Sequence, residues 1–232
     1  MRLCVLGAGN CNDLDFEALS AWYSEITLVD LDLEAVTRAI ERQPMAVRSL
    51  LRLRAPVDFG GFDEAVARGP TDPAAPQALA EAVARDVGVR DFDVVCSACV
   101  LSQLIDQVAQ RFGSEPERCF SQALLTRALH INLMLILLRT GGRGVLVSDM
   151  VSSDSAPSLL SAPAQGLPKL MAQLVADKNF FTGLNPFALA ALLKSDPQLA
   201  PLIARVVWHA PWLWQLAARR VYLTIACSFQ RA

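Results

Sequence analysis

The stretch Leu6-Gly7-Ala8-Gly9-Asn10-Cys11-Asn12-Asp13 decides how the rest of this chain is read. It follows a short apolar run, Arg2 to Leu6, of the kind that forms a buried strand. After it, Leu14, Ala18, Leu19, Trp22 and Tyr23 recur at helical spacing, with Asn12 or Asp13 placed to cap the first turn. Strand, glycine turn and helix make a βα unit. The glycine pair lets backbone pass close to a ligand, and the helix that follows aims its unpaired N–H groups and positive dipole at the same spot. In outline this is a nucleotide-cofactor site.

Downstream, strand-like and helix-like segments alternate, which predicts a parallel sheet covered on both faces by helices. A second strand runs from Glu25 to Asp30, a helix from about Asp32 to Arg42, and a third strand from about Leu51 to Asp58, ending at Gly60-Gly61. Residues 60 to 76, with Gly69, Pro70, Pro73 and Pro76, read as a loop before an amphipathic helix from about Gln77 to Asp86. The fourth strand is Phe92 to Ser97, followed by a helix from about Leu101 to Phe112. Ser114-Glu115-Pro116-Glu117 is expected to open a long helix as a capping box, ended by Gly141-Gly142. The fifth strand, Gly144 to Val151, carries Asp149 and runs into a serine-rich turn. Helices capped at Asn185-Pro186 and Asp196-Pro197 follow, then a short strand around Val206 to Trp208, a Trp-rich turn, and a last strand over Arg220 to Phe229.

Composition bounds the function. The 232 residues are 53% hydrophobic, with 21 basic and 23 acidic side chains, so a single domain can build its own core and no basic field gathers phosphates. Nucleic acid is therefore not the expected partner; a small molecule is. The most apolar stretch, Ala128 to Leu138, is shorter than the roughly 20 residues a bilayer needs and contains His130 and Asn132, so no membrane role is expected. The apolar excess is assigned to core and leaves a homodimer open. The six cysteines sit mostly in apolar runs with no leader segment ahead of them, which reads as reduced and cytoplasmic.

The site chemistry begins with Asp30, seventeen residues past Asp13 at the end of the second strand, where a carboxylate can hold both hydroxyls of a ribose. Dinucleotide folds and S-adenosylmethionine (SAM) enzymes share this spacing. A dinucleotide fingerprint wants glycine at the position of Asn12, and the acids Asp13, Asp15 and Glu17 would repel a pyrophosphate. An ammonium and a sulfonium suit them instead, which favours SAM.

These residues resemble the class I SAM-dependent methyltransferases. Leu6 to Asp13 looks like their first motif, Val29-Asp30-Leu31-Asp32 like the acidic end of their second strand, and Val57-Asp58-Phe59 like the segment that meets adenine. Phe92 to Ser97, Gly141 to Asp149 and Arg220 to Phe229 are similar to their fourth, fifth and antiparallel seventh strands. The resemblance implies a three-layer Rossmann-like α/β fold with a seven-stranded, mostly parallel sheet and SAM as cofactor. By the family pattern Gly7, Ala8, Gly9 and Asn10 pass beneath the methionine part, Asp30 holds the ribose, Leu31 flanks adenine, Asp58 and Phe59 meet its edge, and Ser97 faces the amino-acid moiety. Three departures stand out. Val5 occupies a position that is usually a carboxylate, for which Asp13 is the substitute candidate; Cys11 replaces the third glycine; and the chain opens at the first strand. The pocket is then expected to be covered by residues 152 to 215, including a helical insert over 152 to 204, or by another subunit.

Other chemistry-bearing residues have plainer readings. Cys96 and Cys99 form a CxxC without a second ligand pair, so no metal is expected and they read as small buried hydrophobes. His130 lies among apolar residues as a core histidine. His209, among Trp208, Trp212 and Trp214, and Asp149, at the cofactor edge, are the candidates for a catalytic base. The tryptophans either line an apolar pocket or pack the last hairpin. No Asn-Pro-Pro-Tyr or Asp-Pro-Pro-Tyr follows the fourth strand, which disfavours methylation of nucleic-acid bases. The leading expectation is methyl transfer from SAM to a small, partly hydrophobic acceptor. A catalytically silent SAM-binding or partner-regulating domain of the same fold, and an NAD(P)-dependent oxidoreductase, are the alternatives.

Overall fold

A computed structural model describes residues 1–59 and 75–232. The Gly60-Gly61 turn and most of the proline-rich loop expected after it lie outside those residues. Five strands come first in the sheet: β1 (Arg2–Leu6), β2 (Glu25–Val29), β3 (Leu51–Arg54), β4 (Phe92–Ala98) and β5 (Leu138–Ser152). They pair in parallel, and β6 (Ile203–Trp208), β7 (Trp212–Ala217) and β8 (Arg220–Arg231) add antiparallel pairs, in the order β3-β2-β1-β4-β5-β8-β6 with β7 also on β8. The eight strands fill seven positions. β6 runs along the Cys227 to Arg231 half of β8 and β7 along its Arg220 to Thr224 half. His209 still donates its N–H to Ala226 at 3.0 Å, but Pro211 has no N–H to offer and breaks the edge in two. What reads in sequence as a Trp-rich turn is therefore β7, whose Trp212, Leu213 and Trp214 alternate between faces.

Helices flank the sheet: α1 (Phe16–Ser20), α2 (Leu33–Glu41), α3 (Met45–Arg48), α4 (Ala75–Val87), α5 (Val100–Phe112), α6 (Pro116–Leu137), α7 (Leu167–Ala176) and α8 (Pro186–Ser195). Local chemistry sets most ends. Asp32 caps α2 by accepting from Ala35, and Asn185 caps α8 by accepting from Phe187 and Ala188. Two expected caps differ. Asp15, not Asn12 or Asp13, caps α1 through the Ala18 N–H at 3.0 Å, so the helix starts late and is short. The cap position of α6 is Glu115, whose side chain pairs with Arg118 and caps no backbone N–H; Pro116 already fixes the first turn and removes one orphan donor. Asp196 accepts from Gln198 and Leu199, yet only a short 3-10 turn follows.

Two buried clusters sandwich the sheet. The larger joins α4 to α8 with Phe92, Leu146, Leu223 and Phe229; the insert's Leu167, Leu174, Leu189 and Leu193 belong to it. The smaller joins α1 and α2 with Val5, Ile26, Leu28 and Leu51, and no residue of β5 to β8 enters it. On that face the sheet's second half meets a cavity. The length and composition of α6 would let it cross a membrane, and 67% of its most apolar window is buried within the chain. Its apolar residues pack against α4 and α5 in the larger cluster.

Candidate cofactor and acceptor site

The turn after β1 is built around left-handed backbone. Gly7 has φ +75° and a Cβ there would lie 1.9 Å from Val100 Cγ2, so no side chain fits. Gly9 has φ +51° and open space where its Cβ would be, leaving the turn bare on the ligand side. Cys11, in the position of the third family glycine, keeps the glycine-like φ of +55°. The turn's donors are largely spent inside the protein: Gly7 and Ala8 N–H both go to Val29 O, Gly9 N–H to Asp30 Oδ2 at 2.7 Å, and Cys11 N–H to Ala8 O. Asp30 also accepts from Asp32 N–H at 2.9 Å. With one N–H on each oxygen, a lone pair on each is left for a further donor.

A cavity of about 510 Å³ opens beside this turn. Gly7 to Leu14 form one wall, Cys96, Ala98 and Cys99 the end of β4, and Trp212, Trp214 and Leu216 the far wall from β7. Among the described residues the lining carries Asp13 and no lysine, arginine or histidine. Behind Cys99 and Thr224 sits the buried carboxyl of Asp149, which accepts from Thr224 Oγ1 at 3.0 Å and from the Cys99 thiol at 3.8 Å. Burial holds the Asp149 carboxyl above the ordinary carboxylate range, opposed by hydrogen bonds from Thr224, Cys99 and Ser102. Burial pushes the Cys99 thiol up too, with the neighbouring Asp149 and Asp13 charges adding to it, which disfavours the thiolate.

Of the residues singled out in sequence, Gly7, Ala8, Gly9, Asn10 and Asp13 line the cavity, and Asp30 anchors its turn. Asp30 and Leu31, just past β2, and Asp58, four residues past β3, do not line the cavity; Leu31 is 55% exposed and Asp58 is exposed. Two others turn away. Ser97 is fully buried with its hydroxyl 2.7 Å from His130 Nε2, because alternation along β4 sends it to the larger cluster while Cys96 and Ala98 face the cavity. Phe59 is likewise in that cluster, edge-on to His130 at 6.5 Å. His209 is exposed, with Nε2 3.2 Å from Ser228 Oγ, and does not line the cavity. The helical insert contributes nothing to the lining; its helices pack on the opposite face.

In sequence Cys99 reads as a small buried hydrophobe, Thr224 is not singled out, and the tryptophans stand between pocket and packing. The period-two spacing of Trp212, Trp214 and Leu216 is the signal that one strand face presents all three.

No family model matches the chain, and no curated protein matches it. Among solved structures, an arsenic(III) SAM methyltransferase of Chlamydomonas reinhardtii aligns at 14% identity over 98% of this chain, TM-score 0.48; the chain spans 62% of that protein's length. The YcgJ protein of Bacillus subtilis aligns at 12% identity over 99% of this chain and 91% of its own, TM-score 0.49. The O-methyltransferase TomG of Streptomyces achromogenes, solved with SAM, aligns at 13% identity over 100% of this chain and 73% of its own, TM-score 0.43.

Proposed function

We propose that the chain binds S-adenosylmethionine across the ends of β1, β2 and β4 and transfers its methyl group to a small, partly apolar acceptor. The observation that carries this reading is the state of the glycine turn. Four of its N–H groups are already spent on protein oxygens, and among the described residues the adjoining cavity offers an aspartate and no cation. A pyrophosphate needs free donors and a positive field; a cationic cofactor needs the reverse. The five-residue α1 adds little dipole, which removes the other usual attraction for an anion.

The residues divide the work. Asp30 would hold the ribose, and Asp13 would face the cofactor's ammonium. When bound, SAM supplies a methyl group already activated on a sulfonium. What remains for the chain is to align an acceptor and keep water out, and the Trp212, Trp214 and Leu216 wall supplies an apolar surface for it.

Calorimetric titration tests the reading. S-adenosylhomocysteine is expected to bind, and NADH is not. Binding of NADH without S-adenosylhomocysteine would replace the methyltransferase by an oxidoreductase. Cofactor binding without transfer to any acceptor in a screen of amines, phenols and thiols would support a silent domain.

A further inference from the structure

Asp149 on β5, Thr224 on β8 and Trp212 on β7 form one row across the sheet: Asp149 is the register partner of Thr224, and Thr224 the register partner of Trp212. Directly paired residues on neighbouring strands carry their side chains on the same face about 5 Å apart. The row therefore brings a buried carboxyl, a hydroxyl and an indole together, with the last two lining the cavity.

The direction of the hydrogen bonds is what matters. Asp149 takes the hydroxyl proton of Thr224 and the thiol proton of Cys99 on the same oxygen, Oδ1. A hydroxyl has one proton and two lone pairs, so Thr224, with its proton spent, has only acceptor capacity left. Cys99 is left the same way. A ligand group that is itself only an acceptor meets no donor from this pair and loses water without replacement, a penalty that selects against it. The flanking wall is aromatic, with Trp214 6.3 Å from Tyr222 between ring centroids and tilted 43° to it.

We infer that Thr224, held in this polarity by Asp149, is the residue that selects the methyl acceptor, and that the acceptor is an aromatic or heteroaromatic molecule carrying an N–H or O–H donor. The ring lies against Trp212 and Trp214, and its donor points at Thr224 Oγ1. This deepens the proposed function by naming the acceptor class and rests on it for the acceptor's role. Asp149 is a positioning residue: it acts on the ligand through Thr224.

The test uses two matched fragments, indole, which has an N–H donor, and benzothiophene, which has the same shape and none. Both are titrated into the intact chain at millimolar concentration, the range expected for ligands of this size. Indole is expected to bind roughly fivefold more tightly, the scale of one neutral hydrogen bond. Thr224→Val keeps the shape and should abolish that preference. Trp212→Ala, on the partly exposed β7, should weaken both fragments alike and keep their ratio, and it serves should the valine variant not fold. No preference in the wild type, a preference that survives Thr224→Val, or no binding of either fragment overturns the inference. S-adenosylhomocysteine titrated in the same samples reports the cofactor reading separately, so failure of one is told from failure of the other.

Discussion

The backbone N–H of Gly9 rests 2.7 Å from Asp30 Oδ2, so the acid at the end of β2 fixes the glycine turn after β1 before any ligand arrives. The same carboxylate fixes the start of the next segment through Asp32. One side chain thus sets the shape of the turn and, in the proposed function, grips the ribose. Asp30→Ala should weaken S-adenosylhomocysteine binding at least tenfold, roughly 1.4 kcal/mol or more, by calorimetry. Unchanged affinity in a folded variant rejects the ribose contact.

Gly7→Ala should destabilise the fold by about 2 kcal/mol or more, since its methyl would overlap Val100 Cγ2 and its backbone stays left-handed. Adding Val100→Ala should restore part of that loss and not all, because it relieves the overlap and leaves the φ of +75°. Urea denaturation of the single and double variants separates the two contributions. Full recovery in the double variant would show the backbone to be unstrained.

Burial lowers the His130 imidazole from 6.5 to about 4, with its Nδ1 lacking a partner. The folded state then keeps this side chain neutral while the unfolded chain protonates it, so stability falls as pH drops from about 6.5 toward 4. The loss approaches about 3 kcal/mol at the lower end. His130→Gln should flatten that part of the stability–pH curve, followed by denaturant unfolding at each pH.

Asp149 has the opposite dependence. Its carboxyl titrates above the ordinary value because it is buried, so the native state holds the proton more firmly than the unfolded chain does. Stability from this group falls as pH rises from 3.8 through the raised value. Asp149→Asn, which still accepts from Thr224, should gain stability relative to wild type as pH rises from 3.5 to 7. A constant difference would place the carboxyl in an ordinary aqueous environment.

The stretch from Arg2 to Asp30 was legible because its signals are local. Gly7 and Gly9 permit left-handed backbone, the apolar run Leu3 to Leu6 makes a central strand, and Asp30 follows directly on the next one. Cys11 shows that the conformation outlives the glycine, since its φ of +55° is imposed by the turn. Ser97 and Phe59 both leave the cavity for the larger cluster. For Ser97 the reason is register: it does lie at the end of β4, but a single step along the strand sends Ser97 to His130 and Cys96 to the cavity. Phe59 lies five residues past the end of β3, where no strand alternation sets its direction.

By itself the sequence determined an α/β chain with a parallel core sheet, a glycine turn and an acid across from it, because period, turn chemistry and strand-end acids act over a few residues. Only tertiary structure decided what the cavity is made of. Asp149 and Thr224 are 75 residues apart and meet through the antiparallel register of β5 and β8, and Trp212 joins them through the edge that Pro211 splits. No local pattern encodes that meeting: the three lie on separate strands, and the register that sets them in one row gives them a common chemistry.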